Sequence, residues 1–264
     1  MTTLQTVFEK ARADKRAALV GYLPAGFPGK DGAIAAATAM VEAGCDVIEI
    51  GLPYSDPLMD GPTIQAAVHR ALTGGTRIAD VLRTVEGVAK TGAAVLVMTY
   101  WNPIDRYGAE RFARDLAAAG GVGTITPDLT PEEAGPWRRY SAEAGIDTVF
   151  LVAPSSTGER IQAVAECCTG FVYAASLMGV TGARDSVSSA AEGLVERTRA
   201  HTSLPVCVGL GVGTGAQAAQ VAKYADGVIV GSAFIRRLLD APDEAAGLAA
   251  VRELGEELAA GVRS

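Results

Sequence analysis

Short runs rich in β-branched residues alternate along the chain with longer segments whose apolar residues recur at helical spacing. Ile78, Val81, Leu82 and Val85, for example, follow the i, i+3, i+4 pattern of a helix that packs on one face. A strand followed by a helix, repeated many times, indicates a parallel sheet with helices outside it. The runs predict eight strands: Ala18–Tyr22, Asp46–Gly51, Ala94–Met98, Gly123–Thr126, Thr148–Val152, Phe171–Ala174, Pro205–Gly209 and Gly227–Val230.

Eight parallel strands are the number that closes a (β/α)8 TIM barrel, and we predict this α/β fold. An open, doubly wound sheet stays the alternative, since a strand count alone does not exclude it. No low-complexity linker and no shift in composition mark a boundary, so we expect one domain over residues 1–264. Leu4–Ala13 predicts an extra N-terminal helix that caps the bottom of the barrel, and patterns around Ile64–Leu72 and Arg77–Val88 predict an extra helix after the second strand.

Charge and hydropathy narrow the class of protein. The formal net charge of −7 and a pI near 5.0 disfavour a nucleic-acid or anionic-membrane surface. The apolar runs are too short to span a bilayer, and Met1–Arg16 lacks the apolar core of a signal peptide, so we expect a soluble, cytoplasmic protein. The cysteines form no C-x-x-C pair and are expected as reduced, buried thiols: Cys45, Cys167, Cys168 and Cys207.

Glu49 is a lone carboxylate within a predicted apolar strand. Its neighbours Ile48 and Ile50 point to the other face of the strand, because strand side chains alternate. Burial without a partner raises the pKa of a carboxyl group, which suits a residue that must both donate and accept a proton. We therefore predict a catalytic role for Glu49, and a structural carboxylate paired with an arginine is the alternative.

Asp56 and Asp60 follow Glu49 in a loop that is longer than a simple connection requires. Asp-Pro and Asp-Gly steps are common in turns, and each aspartate taken alone has that explanation. Long loops after barrel strands tend to be functional. The position of Asp60 beyond the strand that carries Glu49 therefore favours a role in orienting a substrate.

Three glycine-rich segments come directly after predicted strands: Met178–Gly182, Gly209–Gly213 and Gly231–Ala233. Backbone N–H groups freed by glycine, beside a short helix that begins at Ser232, are typical of the phosphate site of barrels. Any one of these glycines is explained as a turn residue. Three such segments at these positions favour a phosphorylated ligand.

The lysines and histidines limit the chemistry. All five lysines fall on predicted helices or their flanks, so we expect no Schiff-base lysine on a strand. His69 and His201 are isolated on helical patterns, and without a His or Cys cluster we predict no catalytic metal. Proton transfer by carboxylates is the chemistry that remains, with Tyr173 as an assisting group.

The segment I-E-I-G-L-P-Y-S-D-P-L-M-D-G-P-T-I-Q, residues 48–65, closely resembles the signature of the tryptophan synthase alpha chain family. G-Y-L-P-A-G-F-P, M-G-V-T-G-A, G-L-G-V-G and V-G-S-A-F are similar to segments of the same family in the same order, so the resemblance covers essentially the whole chain. It implies the reversible retro-aldol cleavage of indole-3-glycerol phosphate to indole and glyceraldehyde 3-phosphate. It also implies that this subunit needs no cofactor.

The same resemblance implies roles for individual residues. Glu49 would move protons between the indole ring and the glycerol hydroxyl, and Asp60 would hydrogen-bond the indole N–H and stabilise positive charge on the ring. Tyr173 matches the family's active-site tyrosine, and Tyr22 matches an aromatic position of the indole pocket. The other implied contacts are Thr181, which reaches toward Asp60 on loop closure, and the phosphate ligands Gly182, Gly211, Gly231 and Ser232.

A partner is implied as well, a pyridoxal-phosphate-dependent tryptophan synthase beta chain that receives indole through a tunnel in an alpha-beta-beta-alpha tetramer. The loop around Pro53–Asp56 and a mobile loop from Gly179 to about Ser188 would respond to this partner. Three residues depart from the common family pattern, which bears on loop closure and partner contact rather than on the chemistry: Leu177, Met178 and Met59.

Three other functions stay open at this point. A stand-alone lyase would use the same catalytic residues without a beta chain. A non-catalytic binding or regulatory subunit would keep only the phosphate site, and the presence of both Glu49 and Asp60 speaks against it. A flavin-binding barrel would carry similar glycine-rich loops but would be yellow.

Overall fold

Nine parallel strands form one sheet in the computed structural model, which describes residues 2–175, 184–209 and 211–264, with the backbone alone for 184–189. The order of the strands is β5-β4-β3-β2-β1-β9-β8-β7-β6. They are β1 (Ala18–Pro24), β2 (Val47–Gly51), β3 (Ala94–Met98), β4 (Gly123–Ile125), β5 (Asp147–Val149), β6 (Leu151–Val152), β7 (Val172–Ala175), β8 (Val206–Gly209) and β9 (Gly227–Val230).

The two ends of this strand order meet at Phe150. This residue alone separates β5 from β6, and its carbonyl oxygen accepts a hydrogen bond from the Tyr173 N–H at 3.1 Å. The sheet therefore wraps into a nearly closed barrel, which confirms the predicted TIM barrel and excludes the open sheet. The predicted fifth strand, Thr148–Val152, divides at Phe150 because its first part pairs with β4 and its second part pairs with β7.

Helices follow the strands around the outside of the barrel. In the described part of the chain they are α1 (Leu4–Ala13), α2 (Lys30–Glu42), α3 (Pro62–Thr73), α4 (Ile78–Ala89), α5 (Trp101–Tyr107), α6 (Ala109–Ala118), α7 (Gly135–Ala144), α8 (Gly158–Ala165), α9 (Arg184–Arg199), α10 (Gly215–Ala222), α11 (Ser232–Asp240) and α12 (Glu244–Gly261). The predicted extra N-terminal helix is α1, and both α3 and α4 lie between β2 and β3. Both additions to the minimal barrel are confirmed.

Strand alternation divides the core into an inner and an outer layer. Inward side chains such as Val20 and Leu96 pack together inside the barrel, with the apolar face of α1 below them. Phe8 of α1 lies against Phe171 in an edge-to-face contact, with ring centroids 5.8 Å apart. Outward side chains such as Ile48 pack under the surrounding helices. Because α1 fills the bottom, the opposite end of the barrel is the end left for a ligand.

Aspartates before two strands tie the bottom of the barrel together. The Asp46 carboxylate accepts hydrogen bonds from Arg16 at 2.7 and 2.8 Å and from the backbone N–H of Leu19 at 2.9 Å. Asp226 accepts from Arg199 and from the backbone N–H of Val206, both at 2.9 Å. Polar residues at this end of a TIM barrel serve stability rather than catalysis.

None of the helices in the described ranges has the length and apolar character needed to cross a membrane. All four cysteines are free and buried, as predicted.

Candidate active site

A pocket of about 200 Å³ opens at the carboxyl ends of the strands, which is the catalytic end of TIM barrels. Its walls come from strand ends and from the loops that follow them. The residues that line it are Tyr22, Glu49, Met59, Asp60, Ile64, Met98, Leu151, Tyr173, Ala175, Gly209, Gly211, Ile229, Gly231 and Ser232. Every predicted site residue that the structure describes lies in this set.

Glu49 lies on β2, with Tyr22 of β1 and Leu96 of β3 as its neighbours in register. Its side chain is fully buried, and neither carboxylate oxygen has a hydrogen-bond partner among the described residues. Burial disfavours the charged form and raises the pKa of Glu49 from 4.5 to about 8. No arginine among the described residues pairs with Glu49, so the alternative of a structural ion pair does not apply. Glu49 is a protonated group at neutral pH that needs little free energy to ionise.

Asp60 comes from the long loop between β2 and α3. Its side chain is half-buried, and one carboxylate oxygen accepts a hydrogen bond from the Tyr100 hydroxyl at 3.3 Å. Burial raises the pKa of Asp60, and the hydrogen bond from Tyr100 opposes that shift. Gln65 on α3 donates to the Asp60 carbonyl oxygen at 2.8 Å, which ties the end of the loop to the helix. The loop thus presents a second carboxylate to the pocket that holds Glu49.

Two tyrosines form walls of the pocket, and glycines make room for their rings. A side chain on Gly51 would collide with the ring and hydroxyl of Tyr22, and one on Gly209 would collide with those of Tyr173. Burial raises the pKa of both phenols, and the negative charge that Glu49 carries above its own pKa adds to the effect. Both tyrosines are therefore neutral hydroxyl groups beside the carboxylates.

The phosphate ligands predicted from the glycine-rich segments are partly described. Gly211 has a positive φ of 67°, which turns the loop after β8 in a way that favours glycine. Gly231 precedes α11, which begins at Ser232, and both residues line the pocket, so the N-terminus of this helix lies in the pocket wall. The remaining predicted residues lie outside the described residues: Thr181, Gly182, Leu177 and Met178.

Sequence reasoning missed the apolar lining and one polar residue. Three apolar lining residues occupy inward-facing positions at or near the carboxyl ends of their strands: Met98, Leu151 and Ile229. Strand alternation would have identified them. Tyr100, two residues beyond β3, reaches Asp60 and was not predicted. No pattern in the sequence signals that contact, because it joins residues 40 positions apart.

The lining limits what the site can do chemically. It combines two carboxylates and two phenols with apolar surface, and no residue of the lining set is Lys, Arg, His or Cys. Across the ranges that the structure describes, no group of three His, Cys, Asp or Glu side chains could hold a metal ion. The arrangement suits proton transfer to and from a ligand with apolar surface.

Comparisons with known proteins agree with this geometry. The family model described as tryptophan synthase alpha chain matches residues 8–263. The tryptophan synthase alpha chain of Thermobifida fusca is 61% identical over 267 aligned positions, which span 100% of this chain and 99% of that protein. A structure of Mycobacterium tuberculosis tryptophan synthase superposes with a TM-score of 0.92 at 55% identity, covering 100% of both chains.

A more distant structure, tryptophan synthase subunit alpha of Legionella pneumophila, superposes with a TM-score of 0.90 at 34% identity and covers 99% of this chain and 98% of that one. The fold is thus retained where two thirds of the residues differ. Together with the full-length match to the family model, these similarities establish that the chain belongs to the tryptophan synthase alpha chain family.

Proposed function

We propose that this chain is the lyase that cleaves indole-3-glycerol phosphate to indole and glyceraldehyde 3-phosphate, with Glu49 as its acid–base group and Asp60 as the carboxylate that stabilises charge on the ring. The observation that carries this proposal is the environment of Glu49. It is a fully buried carboxyl group without a hydrogen-bond partner among the described residues, in one pocket with Asp60 and at the catalytic end of a barrel. Burying such a group without a partner costs free energy, and this cost favours a functional role.

Cleavage requires two proton movements that balance each other. The indole C3 atom gains a proton, the bond between C3 and the glycerol carbon breaks, and the glycerol hydroxyl on that carbon loses its proton to become the aldehyde. A single carboxyl group with a pKa near 8 can give the first proton and take the second. We assign both transfers to Glu49.

Asp60 has a different role in this proposal. Protonation of C3 places positive charge on the indole ring, and a carboxylate that accepts a hydrogen bond from the ring N–H stabilises that charge. Tyr22, Met98 and Leu151 supply apolar surface for the ring, and Tyr173 presents a neutral hydroxyl beside Glu49. The backbone at Gly211, Gly231 and Ser232 would receive the phosphate, with Thr181 and Gly182 completing the site.

Indole formed in the pocket would pass to a tryptophan synthase beta chain in an alpha-beta-beta-alpha tetramer. Leu58 and Met59 are the large apolar side chains exposed in the described residues, at 75% and 49%, and both lie in the loop that carries Asp60. Exposed apolar surface of this kind favours a protein partner. We propose that the beta chain binds pyridoxal phosphate and that this subunit needs no cofactor, since side-chain proton transfers complete the cleavage. A cytoplasmic location remains part of the proposal.

Indole release from indole-3-glycerol phosphate by the purified chain, with and without a tryptophan synthase beta chain, tests this function. Slow cleavage that the beta chain accelerates supports the alpha-subunit function. Fast cleavage by the chain alone would instead identify a stand-alone lyase. Absence of cleavage in both conditions would overturn the proposal.

A further inference from the structure

One phenol hydroxyl contacts three consecutive residues of the loop that carries Asp60. The Tyr100 oxygen accepts hydrogen bonds from the backbone N–H of Leu58 at 3.1 Å and of Met59 at 2.9 Å. It donates its own proton to the Asp60 carboxylate at 3.3 Å. The hydroxyl therefore has a complete set of partners, and all of them belong to the β2–α3 loop.

The Tyr100 side chain is itself held in place from the barrel side. The residue is 6% exposed and precedes α5, whose first backbone N–H, that of Trp101, donates to the Asp128 carboxylate at 2.8 and 3.1 Å. Its ring contacts the ring of Tyr54, which belongs to the β2–α3 loop itself, with centroids 5.6 Å apart. Because β3 and the start of α5 are fixed, the Tyr100 hydroxyl is a fixed point for a loop that comes from a different strand.

Packing of its own side chains does not hold this part of the loop. Leu58 and Met59 are 75% and 49% exposed, so their side chains bury little apolar surface. Gln65 holds the Asp60 carbonyl oxygen, but that bond leaves the carboxylate free to rotate. Tyr100 is the described residue that binds both the backbone before Asp60 and its carboxylate.

We propose that Tyr100 is a positioning residue for the cleavage reaction, whose hydroxyl fixes the Leu58–Asp60 segment and aims the Asp60 carboxylate at the ring N–H of the substrate. This inference rests on the proposed function of the site. It adds a residue that acts through Asp60 rather than by touching the reacting atoms.

The hydrogen bond has a consequence for the charge of Asp60. A donor to the carboxylate favours the ionised form and so opposes the effect of burial, which raises the pKa of Asp60. Removing the donor should raise that pKa further. The other titratable groups of the pocket are Tyr22, Glu49 and Tyr173. None of them carries a positive charge that could stabilise the Asp60 carboxylate in place of the Tyr100 hydroxyl.

Tyr100→Phe removes the hydroxyl and keeps the ring. We expect kcat for indole release to fall about tenfold or more, the loss for a hydrogen bond to a charged group, with KM changing less than kcat. We also expect the acid limb of the pH–rate profile to move to higher pH, because Asp60 then ionises at higher pH. Tyr107→Phe is the matched control, since it removes a 2.8 Å hydrogen bond from a tyrosine on α5 to Asp115, away from the pocket.

A second readout does not depend on activity. Titration of the Asp60 carboxyl carbon by NMR, assigned with Asp60→Asn, should give a higher pKa in Tyr100→Phe than in the wild-type chain and in Tyr107→Phe. Unchanged titration of Asp60, or an equal loss of kcat in the control, would overturn the inference. If the wild-type chain releases no indole, the proposed function fails, while the Asp60 titration still decides whether Tyr100 controls that carboxylate.

Discussion

Tyr22 and Glu49 are Cα partners in the parallel register of β1 and β2, and both side chains line the same pocket. The phenol brings no positive charge to the carboxyl group, and burial and the negative charge of Asp60 raise the pKa of Tyr22. No Lys or Arg belongs to the described pocket lining. Because burial raises the pKa of Glu49 to about 8, its protonated form is the resting form at neutral pH and can donate to an incoming ring.

Glu49→Gln should nearly abolish cleavage and retain substrate binding. The amide has the same shape as the carboxyl group but neither gives nor takes the proton, and loss of a general acid–base group lowers rates by roughly 10²–10⁴. Single-turnover indole release and equilibrium binding of indole-3-glycerol phosphate measure the two properties separately. Glu42→Gln, on the surface of α2, is a matched control that should keep full activity. Near-normal turnover in Glu49→Gln would remove Glu49 from the mechanism.

The stability of the folded chain should depend on pH through the ionisation of Glu49. Its pKa is about 8 in the folded chain and near 4.5 when unfolded, so the folded state binds more protons between these values. The free energy of unfolding contributed by this residue therefore falls as pH rises from about 4.5 to 8, by an amount on the order of a few kcal/mol.

Urea unfolding of wild type and Glu49→Gln at pH 5 and pH 8.5 measures this effect. The variant should gain stability relative to wild type at the higher pH, because it has no buried group to ionise. If the difference in unfolding free energy between variant and wild type is the same at both pH values, the folded and unfolded pKa values of Glu49 are the same.

Asp60→Asn should lower kcat strongly and leave the fold intact. Asparagine can still accept a hydrogen bond from Tyr100, but a neutral amide stabilises the positive charge on a protonated ring much less than a carboxylate does. Steady-state kinetics, with a thermal unfolding curve as a check on the fold, measure the effect. A rate equal to wild type would return Asp60 to the role of a turn residue.

The sequence was sufficient for the barrel and for much of its site. Alternation of strand and helix patterns predicted the order of the elements, and a carboxylate among apolar strand residues pointed to Glu49. Each of these signals is local, since it depends on residues a few positions apart. Family resemblance added the expected roles of Asp60, Tyr22 and Tyr173, and those roles stay predictions.

Contacts between distant segments could not be predicted in the same way. The split of the fifth strand at Phe150 depends on which strands pair on each side of it. The Tyr100–Asp60 contact depends on how two loops approach each other across the end of the barrel. Local periodicity contains no information on either arrangement, because both arise only when the sheet closes.

Gly209→Ala should disturb the pocket more than Tyr173→Phe does. The added methyl group at position 209 would collide with the ring and hydroxyl of Tyr173, so the whole ring must move, whereas Tyr173→Phe removes only the hydroxyl. We expect kcat/KM to fall further in Gly209→Ala, by about tenfold or more for a misplaced pocket wall. Gly135→Ala is the matched control, because no atom lies within 4 Å of the position of its added methyl group on α7. Steady-state kinetics of the three variants decide the order, and a Gly209→Ala enzyme as active as Tyr173→Phe would mean that the ring can shift without disturbing Glu49.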